Sequence, residues 1–190
     1  IKGIAGVVGC SNLTAKGHDV FTVELTKELI KRDILVLSAG CSSGGLENVG
    51  LMSPKAAELA GDNLKEVCKT LGIPPVLNFG PCLAIGRLEM VATELAENLG
   101  IDIPELPLVL SAPQWLEEQA LADAAFGLTL GLPLHVAISP FIDGSPVVTK
   151  VLKEDLVNIT GGRLIVEEDV IKAADELEKI IENRRSQMNI

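Results

Sequence analysis

The sequence predicts an α/β fold, a doubly wound parallel sheet of about six strands with helices on both faces. Three observations predict it. Short apolar runs recur along the chain, each separated from the next by a segment of helical period. The runs are apolar throughout instead of alternating, as strands buried on both faces are. The mean hydropathy of +0.36 asks for that much burial. Right-handed crossovers between parallel strands then give a Rossmann-like arrangement.

Gly3–Gly9 (GIAGVVG) reads as strand one. Val20–Arg32 follows as a helix, with Phe21, Leu25, Leu29 and Arg32 three or four apart, and Asp33 ends it. Ile34–Ser38 (ILVLS) is strand two. Pro54–Leu71 predicts a helix, with Ser53 as cap, Pro54 in the first turn and Gly72 closing it. Pro75–Phe79 (PVLNF) is strand three, and a helix from Leu83 to Leu99 ends at Gly100. Pro107–Ser111 (PLVLS) is strand four, and Pro113 opens a helix through Leu130. Leu134–Ile138 (LHVAI) is strand five and Pro146–Ile159 a helix. After the Gly161-Gly162 turn, Leu164–Val166 is strand six. In the last helix Val170, Ala173, Ala174, Leu177, Ile180 and Ile181 form one stripe.

Residues 1–190 are read as a single domain, since no repeat or low-complexity linker divides them and the length suffices for one core. The chain opens on Ile1 and runs straight into a strand, which suggests the C-terminal fragment of a longer multidomain polypeptide. The 26 Asp and Glu against 16 Lys and Arg leave a net charge of −10. Such a surface repels phosphate backbones, so nucleic acid and anionic membranes are poor partners. Residues 124–142 carry no formal charge, but Gly127, Gly131, Pro133 and Pro140 interrupt them, and a membrane span is not expected. The four cysteines are too few and too scattered for a disulfide scaffold; reduced thiols in the cytoplasm are the expectation.

In doubly wound sheets ligands bind beyond the carboxyl ends of the strands. Cys10, Cys41 and Cys82 follow strands one, two and three, each with a glycine within the two residues before it. Glycine lets the backbone turn sharply and approach a bulky group. Helix N-termini nearby would lower thiol pKa values and favour metal binding. Two readings follow: small residues that suit crowded turns, or a soft-metal or iron–sulfur site. The wide spacings match no zinc knuckle or CxxC motif. Cys68 shares a helix face with Leu64 and Leu71 and reads as core. His135 reads as a satisfied core histidine, and His18 either approaches Cys10 or is a solvated loop residue.

Several segments carry a resemblance: GIAGVVGC (3–10), VELTKEL (23–29), VLSAGC (36–41), VCKTLGIPPVL (67–77), GPC (80–82), APQWLEEQA (112–120) and TGGRLIVEED (160–169). Together they resemble the C-terminal domain of the nickel–iron–sulfur carbon monoxide dehydrogenase catalytic subunit, in the prismane/hybrid-cluster superfamily. The resemblance implies an anaerobic oxidoreductase converting CO and water to CO2, two electrons and two protons at a Ni-Fe-S cluster. It implies that Cys10 and Cys41 hold iron and Cys82 holds nickel, with the remaining ligands on preceding domains of the same polypeptide. A homodimer or larger complex and a ferredoxin-type electron acceptor are implied as well. The isolated chain is then expected to be metal-free and inactive. Around Cys82 only Gly80, Cys82 and Arg87 keep the family pattern, and a family lysine falls at Gln119, a neutral amide. One alternative is a hybrid-cluster, hydroxylamine reductase-like domain in which Glu118 supplies an oxygen ligand. Another is a nucleotide-binding or structural Rossmann-like domain using Gly40, Gly44 and Gly45, although neither phosphate-loop motif is present.

Overall fold

A computed structural model describes residues 1–188. Six strands form one parallel sheet in the order β3-β2-β1-β4-β5-β6. They are β1 (Gly3–Gly9), β2 (Ile34–Gly40), β3 (Val76–Asn78), β4 (Leu108–Ser111), β5 (Leu134–Val136) and β6 (Leu164–Val166). The helices are α1 (Val20–Lys31), α2 (Cys41–Asn48), α3 (Asp62–Leu71), α4 (Gly86–Leu99), α5 (Glu118–Thr129), α6 (Pro146–Lys153) and α7 (Val170–Gln187). The order reverses between β1 and β4, which opens a crevice at their carboxyl ends.

Successive side chains of a strand face opposite ways, and the two apolar layers follow from that. Ala5 and Val7 of β1, with Ile34 and Val36 of β2, pack under α1, α3 and α7. Their neighbours Ile4, Val8, Leu35 and Leu37 face the other layer, which takes Leu88 and Ala92 of α4. Ala120, Ala124 and Leu128 of α5 pack with Leu134 and Val136. The stripe of α7 is buried as its period requires, with only Ile180 partly open.

The structure corrects several element boundaries. Residues 54–71 are not one helix: a 3-10 turn (Pro54–Leu59) is followed, after a break, by α3. The Asp33 carboxylate accepts from Leu64 N–H at 2.9 Å and from Asn63 Nδ2 at 2.8 Å, so it starts the helix at that point. Ser53 does not cap; its hydroxyl donates to the Gly50 carbonyl at 2.8 Å. Cys68 is buried beside Leu64, but Leu71 is 64% exposed and does not share their face. The helix placed from Pro113 begins at Glu118, because Pro113 and Gln114 form a turn, with Trp115 N–H donating to the Ala112 carbonyl at 3.4 Å, and the Gln114 side chain is tied to residues 12–22. Residues 146–159 form α6 and then a separate 3-10 turn, Asp155–Asn158.

His135 lies fully buried in β5, with Nδ1 2.8 Å from Ser111 Oγ and Nε2 3.0 Å from the Glu167 carbonyl. It also stacks on Phe21 at 5.7 Å. Burial lowers its pKa to about 4 from 6.5. Between those values the unfolded chain binds a proton that the folded chain does not, so stability falls as pH drops from 6.5 towards 4. The full effect is about 3 kcal/mol at ~1.4 kcal/mol per unit. Urea midpoints measured across pH 6.5 to 4 are expected to show this slope, and His135→Asn is expected to flatten it.

Candidate metal centre

Three glycines at the carboxyl edge position the three cysteines. Gly9, Gly40 and Gly80 have φ of +103°, +81° and +105°, a region that L side chains rarely adopt. Gly40 donates its N–H to the Gly80 carbonyl at 2.9 Å, which closes the end of β2 onto the loop after β3. A Cβ on Gly40 would stand 2.7 Å from the Gly9 carbonyl oxygen and 3.3 Å from Cys82 Sγ. The glycines thus bring the ends of the three strands together over one pocket.

Cys10, Cys41 and Cys82 all line that pocket, whose volume is about 250 Å³, together with Ser11, His18, Glu117, Gln119 and Asp123. Cys10 is buried, and its Sγ accepts from Glu117 N–H at 3.5 Å. Cys41 is the first residue of α2 and lies on the exposed rim. Cys82 begins a 3-10 turn and is half-buried. Contrary to the expectation from helix N-termini, the Cys41 thiol is pushed up from its ordinary pKa. Desolvation is the largest cause, followed by negative charge at Cys82, Cys10 and Asp19.

That crowding bears on what the pocket can hold. The Cys41 thiolate is disfavoured until a cation compensates its neighbours, and soft sulfur donors select soft metals. Among the described residues, no three Cys, His or carboxylate side chains converge closely enough to hold a single ion. A multinuclear cluster asks for something else, because each thiolate binds a different metal atom. The donor set therefore suits part of such a cluster better than a lone ion.

The loop after β4 is fixed by Gln114, a fully buried residue. Its Nε2 donates to the carbonyls of Asn12, Ala15 and Gly17 at 2.8, 3.1 and 2.7 Å. Its Oε1 accepts from the N–H and hydroxyl of Thr22. Trp115 Nε1 donates to the Ile138 carbonyl at 2.8 Å. These bonds tie the loop that carries Cys10 to the loop that carries Glu117. A polar residue between Pro113 and Trp115 was the only signal of this in the sequence.

His18 does reach the pocket, with Nδ1 2.8 Å from Asp19 Oδ2. Glu118, the oxygen ligand of the hybrid-cluster alternative, is not among the pocket-lining residues; its neighbour Glu117 is. Gly44 and Gly45 lie inside α2, and a Cβ on Gly45 would meet the Asp19 carboxyl carbon at 2.6 Å. A carboxylate pressed there opposes phosphate and removes the basis for a nucleotide loop. Arg87 donates to the Phe79 carbonyl at 3.2 Å. On the α4–α5 face of the sheet, an apolar groove of about 290 Å³ shares Gly9, Ile85, Ala120 and Asp123 with the cysteine pocket.

The profile of the Prismane/CO dehydrogenase family matches residues 1–171. The chain belongs to this family. It is 60% identical over 190 residues to the carbon monoxide dehydrogenase of Methanocaldococcus jannaschii, covering all of this chain and 30% of that protein. With the carbon monoxide dehydrogenase of Rhodospirillum rubrum it shares 39% over 199 residues, all of this chain and 31% of that protein. The Ni-free carbon monoxide dehydrogenase of Thermococcus sp. AM4 superposes with a TM-score of 0.97 at 42% identity, over the whole chain and 30% of that protein. A structure of acetyl-CoA synthase/carbon monoxide dehydrogenase, described with NiZn[Fe4S4] and NiNi[Fe4S4] clusters, superposes with a TM-score of 0.94 at 32% identity, over 98% of this chain and 29% of that one. The chain thus spans about 30% of the length of these family members. No helix among the described residues is long and apolar enough to cross a membrane.

Proposed function

We infer that this family member is the ligand-donating domain of a carbon monoxide dehydrogenase-type oxidoreductase, which converts CO and water to CO2, two protons and two electrons. Cys10, Cys41 and Cys82 supply three thiolates, the first two to iron and the third to nickel. The remaining ligands come from other domains of the same polypeptide, of which residues 1–190 form one. When bound, the nickel–iron–sulfur group supplies Lewis acidity towards CO and water and takes up the electron pair. The chain's own part is to hold the sulfurs at fixed spacing, through the glycine turns and the Gln114 tie, and to wall the group against bulk water. Electrons pass on to a ferredoxin-type acceptor within a homodimer or larger complex, in the cytoplasm.

The observation that carries this reading is the set of three thiols behind left-handed glycines on one pocket. Exposed Leu13, Leu83 and Leu116 follow β1, β3 and β4 at the same end of the sheet, and an apolar rim of this kind marks a surface that other protein covers.

The test is anaerobic purification of the whole protein, metal and sulfide analysis, and CO-dependent reduction of a viologen dye. Nickel and iron with dye reduction are expected. Iron without nickel, with hydroxylamine reduced instead of CO oxidised, would favour the hybrid-cluster reading. Absence of both metals sinks the cluster assignment. CO oxidation by residues 1–190 alone would show that no outside ligands are needed.

A further inference from the structure

Asp123 is an anomaly on α5. The helix is otherwise rich in alanine where it meets the sheet, with Ala120 and Ala124 buried. Yet Asp123 stands where the cysteine pocket meets the apolar groove and lines both. Its Oδ2 is buried and has no hydrogen-bond partner among the described residues. A buried, unsatisfied carboxylate oxygen destabilises a protein, and alanine there would avoid the cost. The other oxygen, Oδ1, accepts from Gln119 Nε2 at 2.9 Å, one helical turn back. Gln119 lines the cysteine pocket.

We propose that Asp123 is a positioning residue: it fixes the Gln119 side chain so that its amide faces whatever small ligand the cysteine-held group binds. A carboxylate only accepts, so Asp123 dictates which end of the amide points towards it. Nε2 gives one hydrogen to Oδ1, and its second hydrogen, with Oε1, is left for the pocket. Without Asp123 the amide rotates freely and both ends sample the pocket. The ligand class that fits is a small molecule with a hydrogen-bond-accepting end, bound without any added positive charge from the protein. The proposal rests on the function inferred above, since it needs a ligand-binding group held by the thiols.

The test uses metal-loaded protein with cyanide as probe, a diatomic that binds metals through carbon and accepts a hydrogen bond at nitrogen. Its infrared stretch is compared in wild type, Gln119→Leu, Asp123→Leu, Asp123→Asn and the double leucine variant. Gln119→Leu and Asp123→Leu are expected to move the band in the same direction, and the double variant no further than Gln119→Leu alone. Asp123→Asn, which keeps the shape but loses the charge, is expected in between, and it serves as the folded variant if leucine is not tolerated. The turnover number for CO is expected to drop about tenfold to a hundredfold in Asp123→Leu, with KM within about twofold, as for other groups that orient a metal site from outside. A band unmoved by Gln119→Leu, or moved by it but not by either Asp123 variant, overturns the proposal while the metal reading stands. A wild-type protein that binds no metal and gives no cyanide band overturns both.

Discussion

Replacing Cys82 by alanine is expected to remove nickel from the protein while iron is retained, and to abolish CO oxidation. Cys82 is half-buried at the head of a 3-10 turn, and its sulfur lies on the wall of the cysteine pocket, 3.3 Å from where a Cβ on Gly40 would stand. A serine at the same site keeps the size but offers a hard oxygen, which soft metals bind poorly. Groups that merely orient a metal ligand cost about 10–100-fold when lost, so loss of a ligand is expected to cost roughly a hundredfold or more. Cys10→Ala and Cys41→Ala are expected to lose iron and nickel together. Metal analysis by mass spectrometry, beside dye reduction, separates the patterns. Full nickel in Cys82→Ala protein, or iron unchanged in Cys10→Ala, would refute the assignment of the thiols. Cys68→Ala serves as the contrast: it lies buried in α3 within the hydrophobic core, and it should alter stability without touching metal content.

At the opposite edge of the sheet, Arg184→Met is expected to cost about 3–5 kcal/mol of stability, the scale for breaking buried charged contacts. Arg184 is 8% exposed, and its guanidinium donates to four main-chain carbonyls: Leu106 and Leu108 at 3.1 Å, Gly131 at 2.9 Å and Gly161 at 3.3 Å. These oxygens belong to the chain entering β4, β5 and β6, so one side chain of α7 ties three strand entries together. Desolvation lowers its pKa to about 10, so it stays charged at neutral pH. Methionine fills a similar volume but leaves those carbonyls without a donor, each a penalty of about 1–3 kcal/mol where water cannot reach. At roughly 2–4 °C per kcal/mol for a chain of this size, the melting temperature should fall by about 10 °C. Arg184→Lys should fall by less, because a single ammonium reaches fewer of the four oxygens. Metal content per folded molecule should not change, since the cysteines lie beyond the other ends of the strands. A melting temperature within about 2 °C of wild type would refute the role of this side chain.

Much of the architecture was legible because it is set by short-range pattern. Apolar runs without alternation required strands covered on both faces, and the stripe of α7 required one buried side. The cysteines could be placed at strand ends because the strands themselves could be placed. Helix boundaries were less legible wherever a distant residue decided them. Asp33 starts α3 from the end of α1, and Gln114 holds residues before α5 out of helical conformation by reaching residues 12–22. Neither effect has a local signature.

The sequence alone determined the sheet, the parallel sense of its strands, and three thiols that each follow a strand after a glycine. Local hydrophobic pattern and the conformational freedom of glycine are enough for that, since both act over a few residues. Tertiary structure decided that those thiols meet at one pocket, that Gln119 and Asp123 join them, and that Arg184 binds the far edge. These depend on strand order, on how α5 seats against the sheet and, for Arg184, on hydrogen bonds between residues far apart in the chain, which become defined only when the sheet has closed on its helices.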